Sequence, residues 1–374
     1  MTQTLRVLHV MWKGEIGGTE RAVYLLVKEQ LRDTGLVPSL AFGQSGGFYW
    51  DRARELGCQV LDLGLPHGHA LHCLPAVVAA IREFKMHHFH SAEPLLMTAS
   101  VLCPNARRVY THRGGVIDYP LRKRIQNAYA GVLLRFSFHG FSGNTAHGAR
   151  CAAKLFALPR ERFKVTYNGL DFDLLLPHRS IDAVRAELAL TPSQYVIGTA
   201  ANLRPLKGIE RLVTAVKSLA DPNVRLLVVG DGIDRSRLQL ITDQLGLRSQ
   251  VIFAGRRSHV ADYLQAMNAF CLPTMGMESF GNAAVEAMAM GIPTIVFADG
   301  GGMLEHVLPG ETGFVVADQF ELVETLRRLA ANRDWGRRIG EQASQWVRNR
   351  YGLPKAAAAY RSLYEEAEWN GDHA

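Results

Sequence analysis

The chain has 374 residues, 48% apolar and 21% charged, a balance that excludes a disordered or fibrous protein. No apolar run reaches the roughly 18 residues of a membrane span. The net charge of +7 favours polyanionic partners, phosphates or an anionic membrane face among them. The polar start Met1–Arg6 does not read as a secretory signal. Cys58, Cys73, Cys103, Cys151 and Cys271 form no C-x-x-C pair, so a cytoplasmic setting without disulfides or a zinc knuckle is expected.

Apolar, β-branched runs alternate with helix-period stretches along the chain. Strands are expected at Leu5–Trp12, Val37–Phe42, Gln59–Leu63, His87–His90, Arg108–Thr111, Phe138–Ser142 and Lys164–Tyr167, with helices at Thr19–Arg32, Leu71–Phe84, Tyr119–Arg135 and Thr145–Phe156. The alternation resumes with strands Tyr195–Ala200, Val224–Val229, Val251–Ala254, Ala269–Leu272 and Thr294–Phe297. Helices Ile209–Leu219, Arg235–Leu245, Val260–Met267, Asn282–Met290 and Gln319–Ala331 accompany them. Parallel sheets covered on both faces follow from this order.

The strands are too many for one open sheet, and Asn168-Gly169, Pro177 and Pro192 mark a junction between Asn168 and Ser193. An even (β/α)₈ barrel fits neither the count nor the junction. Two Rossmann-like, doubly wound parallel-sheet domains facing a cleft are expected. Their limits are 1–177 and 178–350, with 351–374 as a helical tail packing back on the first domain.

In such sheets ligands bind at the carboxyl ends of the strands. Gly14-Glu15-Ile16-Gly17-Gly18-Thr19-Glu20 follows the first strand and opens a helix, which suits either an anion or a tight turn. It matches neither a dinucleotide fingerprint nor a P-loop. Asn202-Leu203-Arg204-Pro205-Leu206-Lys207-Gly208 offers two cations for a diphosphate or is an ordinary solvated loop. Pro273 to Ala287 is the most informative stretch. Glu278 lies in a loop and Glu286 one turn into a small-residue helix, where a buried carboxylate needs partners such as vicinal hydroxyls.

The spacing Glu278-Ser279-Phe280-Gly281 followed by Glu286 resembles the E-x₇-E signature of the retaining, nucleotide-sugar glycosyltransferases of family 4, which have the two-lobed GT-B fold. Gly17-Gly18-Thr19-Glu20-Arg21, Tyr167-Asn168-Gly169-Leu170-Asp171, Leu203 with Lys207-Gly208, and Gly230-Asp231-Gly232 extend the resemblance over nearly the whole chain. It implies that Glu278 holds hydroxyls of the transferred sugar, with main-chain N–H groups at Phe280, Gly281 and Asn282 beside it. Glu286 would accept from the ribose, and Lys207 with Arg204 would neutralise the diphosphate. Gly17 and Gly18 would meet donor phosphates or the acceptor, and His112 would lie beside the transferred sugar. The arginine that relatives carry before Leu203 is Asn202 here, which shifts that role to Arg204.

Retaining transfer of a hexose-type sugar from a nucleotide-diphosphate sugar, expected to be a UDP-sugar, to a glycan or lipid-linked hydroxyl is the implied activity. Lipopolysaccharide or exopolysaccharide assembly is its implied setting. The donor is a substrate, and no cofactor or metal clamp is expected. A nucleotide-sugar epimerase, another GT-B enzyme and a non-catalytic binding protein are the alternatives. Nucleic-acid binding has no module to support it. Residues 119–136 mix cations with large apolar groups and fit either an anionic inner membrane face or a core-packed helix with a basic edge.

Overall fold

The computed structural model describes residues 4–66, 71–115, 119–276 and 278–372. The chain divides into unit 1, Met1–Leu170 with Leu353–Ala374, and unit 2, Asp171–Gly352.

Unit 1 is built on one sheet of seven parallel strands, β1 (Leu5–Met11), β2 (Leu36–Phe42), β3 (Val60–Asp62), β4 (Met86–Phe89), β5 (Arg107–His112), β6 (Gly140–Gly143) and β7 (Lys164–Val165). Their spatial order is β3-β2-β1-β4-β5-β6-β7. Unit 2 has six, β8 (Tyr195–Ala200), β9 (Val224–Val229), β10 (Val251–Gly255), β11 (Ala269–Leu272), β12 (Thr294–Phe297) and β13 (Phe314–Val316), in the order β10-β9-β8-β11-β12-β13. In each sheet the strand order reverses at one place, between β1 and β4 and between β8 and β11. Loops diverge there and leave a crevice at the strand ends.

Both faces of the first sheet are covered, because residues two apart along a strand share a face. Leu8, Val10, Phe89 and Tyr110 face the core under helices Leu74–Ile81, Leu121–Ser137 and Ala146–Phe156. Val7, Met86 and Val109 face Tyr360, Leu363 and Tyr364 of the last helix, Leu353–Asp372. Arg108 is buried without a carboxylate. Its guanidinium donates to the carbonyls of Ser100, Val101, Cys103 and Ser137, so it closes the carboxyl ends of helices Pro94–Val101 and Leu121–Ser137.

Under the last helix runs a buried polar chain with one direction of donation. Arg113 Nε donates to His90 Nδ1 at 3.1 Å, His90 Nε2 to His9 Nδ1 at 3.0 Å, and His9 Nε2 to Gln30 Oε1 at 2.8 Å. Gln30 Nε2 donates to Tyr364 Oη, Tyr364 to His88 Nδ1 at 2.8 Å, and His88 Nε2 to Thr111 Oγ1 at 2.7 Å. Because Arg113 has only donor nitrogens and Gln30 Oε1 only accepts, they set the tautomers of His90 and His9, and burial keeps all three rings neutral.

Strands Tyr195–Ala200, Val224–Val229, Ala269–Leu272 and Thr294–Phe297 have the limits expected of them. Helices Phe48–Arg54, Pro94–Val101 and Ile181–Glu187 and the edge strand β13 were not anticipated. The expected helix Leu71–Phe84 is corrected to a 3₁₀ turn, Leu71–Cys73, leading into Leu74–Ile81.

Candidate active site

In unit 2 the loops that leave β8 and β11 meet across the reversal point. After β8, Arg204 opens a 3₁₀ turn, Pro205–Lys207, that ends at Gly208 with φ +64°. A Cβ on Gly208 would lie 2.2 Å from the Pro273 carbonyl oxygen, so only glycine lets the two loops approach this closely. Met275 N then donates to Leu206 O at 3.0 Å. Lys207 Nζ and Glu278 Oε2 form a short, part-buried ion pair. A fixed cation and a fixed carboxylate therefore share one spot at the strand ends.

The Glu278 segment is pinned from several sides. Gly276 N donates to Asp299 O at 2.6 Å and Gly302 N to Glu278 O at 2.9 Å. Arg211 holds the Asp299 carboxylate through two bonds of 3.0 and 2.7 Å, which keeps that carboxyl below its ordinary pKa. Gly281, at φ +78°, caps helix Asn282–Ala289, and a Cβ there would meet Met303 at 2.5 Å. The first N–H groups of this helix lack intrahelical acceptors and so suit an anion. Asn282 is half-buried, while Glu286 and Phe280 are buried.

His306 is a member of this site that the sequence did not announce. Its Nε2 donates to Phe280 O at 2.8 Å and its Nδ1 accepts from Tyr351 Oη at 2.7 Å. Phe280 packs on both rings, at 4.5 and 5.5 Å between centroids. Burial first, with the Arg350 charge adding to it, lowers the His306 pKa to about 3, so the ring stays neutral. His306→Leu is expected to leave the Phe280 carbonyl unsatisfied. The cost is about 1–3 kcal/mol of stability and a raised donor KM, read by thermal unfolding and steady-state kinetics; if neither moves, His306 does not position the loop. The Thr274 hydroxyl, at the end of β11, is buried without a partner among the described residues. Arg204 and Asn202 are exposed.

In unit 1, Gly17 caps helix Gly18–Gln30 in an extended conformation. The Glu20 carboxylate folds back over it, 2.2 Å from where a Gly17 Cβ would lie, and burial raises the Glu20 pKa. Acidic oxygen thus already faces this helix start, which suits a hydroxyl better than a phosphate. His112 ends β5 with Nδ1 3.0 Å from Tyr110 Oη and Nε2 without a hydrogen-bond partner among the described residues; burial lowers its pKa to about 4, against an opposing contribution from the Gly114 backbone. His9, His88 and His90 bring ring nitrogens within 4.8 Å of one another, the spacing of a metal cage. Five of their six ring nitrogens are used in mutual or neighbouring side-chain bonds and the sixth accepts from Arg113, so no lone pair faces an ion.

Residues 180–346 match the family described as "Glycosyl transferases group 1". N-acetyl-alpha-D-glucosaminyl L-malate synthase of Bacillus anthracis is 27% identical over 209 residues, 55% of this chain and 54% of that protein. The lipopolysaccharide core biosynthesis glycosyltransferase LpsD of Rhizobium meliloti is 29% identical over 184 residues, 48% of this chain and 52% of that one. The chain spans about half the length of the curated relatives it matches. The crystal structure of Anabaena Alr3699/HepE in complex with UDP superposes with a TM-score of 0.84 at 20% identity, covering 96% of this chain and all of that one. Over residues 180–346 the second unit is similar to the group 1 glycosyl transferases, and the chain has the two-sheet GT-B fold of the solved structure it matches.

Proposed function

We propose that the chain is a retaining glycosyltransferase that moves a hexose-type sugar from a UDP-sugar to a hydroxyl of a glycan or lipid-linked acceptor in lipopolysaccharide or exopolysaccharide assembly. The observation that carries this reading is the Lys207–Glu278 pair at the reversal point of the second sheet, beside the Gly281 helix start. Names printed for similar proteins support it: LpsD acts in lipopolysaccharide core biosynthesis, and Alr3699/HepE binds UDP.

In this reading Glu278 accepts from sugar hydroxyls and Glu286 from the ribose. Lys207, Arg204 and the N–H groups at Phe280, Gly281 and Asn282 steady the diphosphate. The bond between the anomeric carbon and the distal phosphate oxygen breaks, and its electron pair stays on the departing diphosphate. The acceptor oxygen bonds to the same face of that carbon and gives its proton to the phosphate oxygen. Fixed cations aimed at the oxygen that gains charge are the main source of acceleration. Gly17, Gly18 and His112 serve the acceptor side in unit 1.

Incubation with nucleotide sugars and a truncated lipid-linked acceptor tests the reading. It expects a glycosylated product of retained configuration and a thermal upshift with one donor and its free nucleoside diphosphate. Release of an epimerised donor sugar, or no binding of any nucleotide sugar, overturns it.

No described helix is long and apolar enough to cross a membrane, but helix Leu121–Ser137 carries an exposed apolar stripe. Leu121, Ile125, Tyr129, Val132 and Phe136 recur at helical spacing, and Leu121 and Phe136 are more than 70% exposed. Arg122, Lys123, Arg124 and Arg135 flank it without one acidic residue. A peripheral seat on the anionic inner face of the cytoplasmic membrane follows. Neutralising Arg122, Lys123 and Arg124 is expected to weaken sedimentation with anionic liposomes roughly 100-fold, at about 1 kcal/mol per cation. Unchanged partitioning ends this idea.

A further inference from the structure

Between helices Leu121–Ser137 and Ala146–Phe156 lies a groove of about 630 Å³. One wall is a single helical face, on which Arg124, Asn127, Ala128, Gly131 and Arg135 stand at positions i, i+3, i+4, i+7 and i+11. Cys151, Lys154 and Leu155 form the opposite wall. At Gly131 the helices touch, since a Cβ there would meet Phe156 O at 2.8 Å. His112 lies in the lining as well, at the carboxyl end of β5.

Three features specify the occupant. Among the described residues the lining includes Arg124, Arg135 and Lys154 and no acidic side chain, and neither helix contains an Asp or Glu. Two polar atoms in it, Asn127 Nδ2 and His112 Nε2, belong to side chains over nine-tenths buried and have no hydrogen-bond partner among the described residues. The remaining wall is apolar, and Val132 belongs both to the groove and to the exposed stripe, so the groove opens beside the proposed membrane face. An anion alone would leave the apolar wall wet, and a plain hydrocarbon would leave cations and orphan donors unmatched.

We propose that this groove binds one phosphate-bearing lipid, the lipid-linked acceptor of the reaction, with its anionic head at Arg124, Asn127 and His112 and its chain along Ala128, Val132 and Leu155. The inference rests on the transferase reading for the word acceptor, but its geometry does not. The head then lies at the strand end where the resemblance puts the reacting sugar.

Calorimetric titration of the full chain with decyl phosphate below its micellar concentration tests it, with inorganic phosphate and decanol as comparators. Binding at least tenfold tighter than either comparator is expected. Arg124→Glu, and independently Ala128→Trp, which obstructs the groove without altering charge, should each weaken it at least tenfold. Thermal midpoint and UDP affinity should stay unchanged. Equal binding by both variants, or a comparator that binds as well as decyl phosphate, overturns the proposal. UDP binding without decyl phosphate binding removes the groove alone. Decyl phosphate binding that both variants weaken, without binding of any nucleotide sugar, keeps the groove and removes the transferase.

Discussion

Lys207→Ala or Glu278→Gln is expected to lower kcat/KM by at least ~100-fold while the thermal midpoint moves by only a few degrees. The two effects separate because they arise in different states. In the folded protein the pair keeps 26% and 19% of its side-chain surface exposed, and a part-exposed ion pair contributes about 1 kcal/mol or less to stability. In the proposed reaction the same lysine faces a diphosphate that is gaining charge, where loss of one preorganised donor costs roughly 3–4 kcal/mol. The double variant should lose less than the sum of the singles, since each charge orients the other. Activity within tenfold of the parent for either single variant would remove the pair from the chemistry. A large fall in midpoint would make it a structural clamp instead.

Acid is expected to destabilise unit 1 as soon as the pH falls below about 6.5. Burial lowers His9, His87 and His112 to about 4, and His88 and His90 fall well below 6.5 for the same leading reason. In the unfolded chain these rings take up protons near pH 6.5; in the folded chain burial keeps them neutral well below that, His9, His87 and His112 until about pH 4. Between those values the unfolded state binds more protons, so stability is flat above pH 7 and falls as the pH drops from 6.5 towards 4. A shift of this size for one fully buried ring is worth roughly 3 kcal/mol, a large fraction of the 5–15 kcal/mol of a typical domain. Protonation of His9 would also set two N–H groups against each other at His90. Asp299, held low by Arg211, and similar pairs lose their contribution only below about pH 4, a separate window. Chemical unfolding followed from pH 8 to 4 should show uptake of several protons per molecule. A midpoint independent of pH across that range would mean that the rings are not neutral or not buried.

The strands with the clearest limits were those whose apolar, β-branched runs end at turn residues, as Val224–Val229 does before Gly230. Helix Pro94–Val101 escaped because it is apolar on most sides and has no polar face to mark a period; β13 escaped because three edge residues carry too little pattern. Lys207 and Glu278 were legible as two separate loops. Their pairing over 71 residues was not legible, since adjacency of β8 and β11 is a property of the sheet; the family resemblance implied only that both serve one donor. His306 gave no signal, because what matters is the Phe280 carbonyl that it reaches 26 residues back. The histidine chain was equally opaque. His88 and His90 lie at one strand and its end, but Gln30 and Tyr364, 334 residues apart, complete the chain.

Unit 1 is interrupted: its sheet ends before Leu170, and its covering helix returns only at Leu353. While the polypeptide is being made, residues 171–352 are complete and able to form their own sheet before Tyr360 and Tyr364 exist. Until then Val7, Met86 and Val109 present an uncovered apolar surface, with His9 and His88 lacking the phenol that links them. The earliest-synthesised half is thus the last to mature, and a nascent chain of this protein is most exposed to chaperones and to aggregation late in translation rather than early.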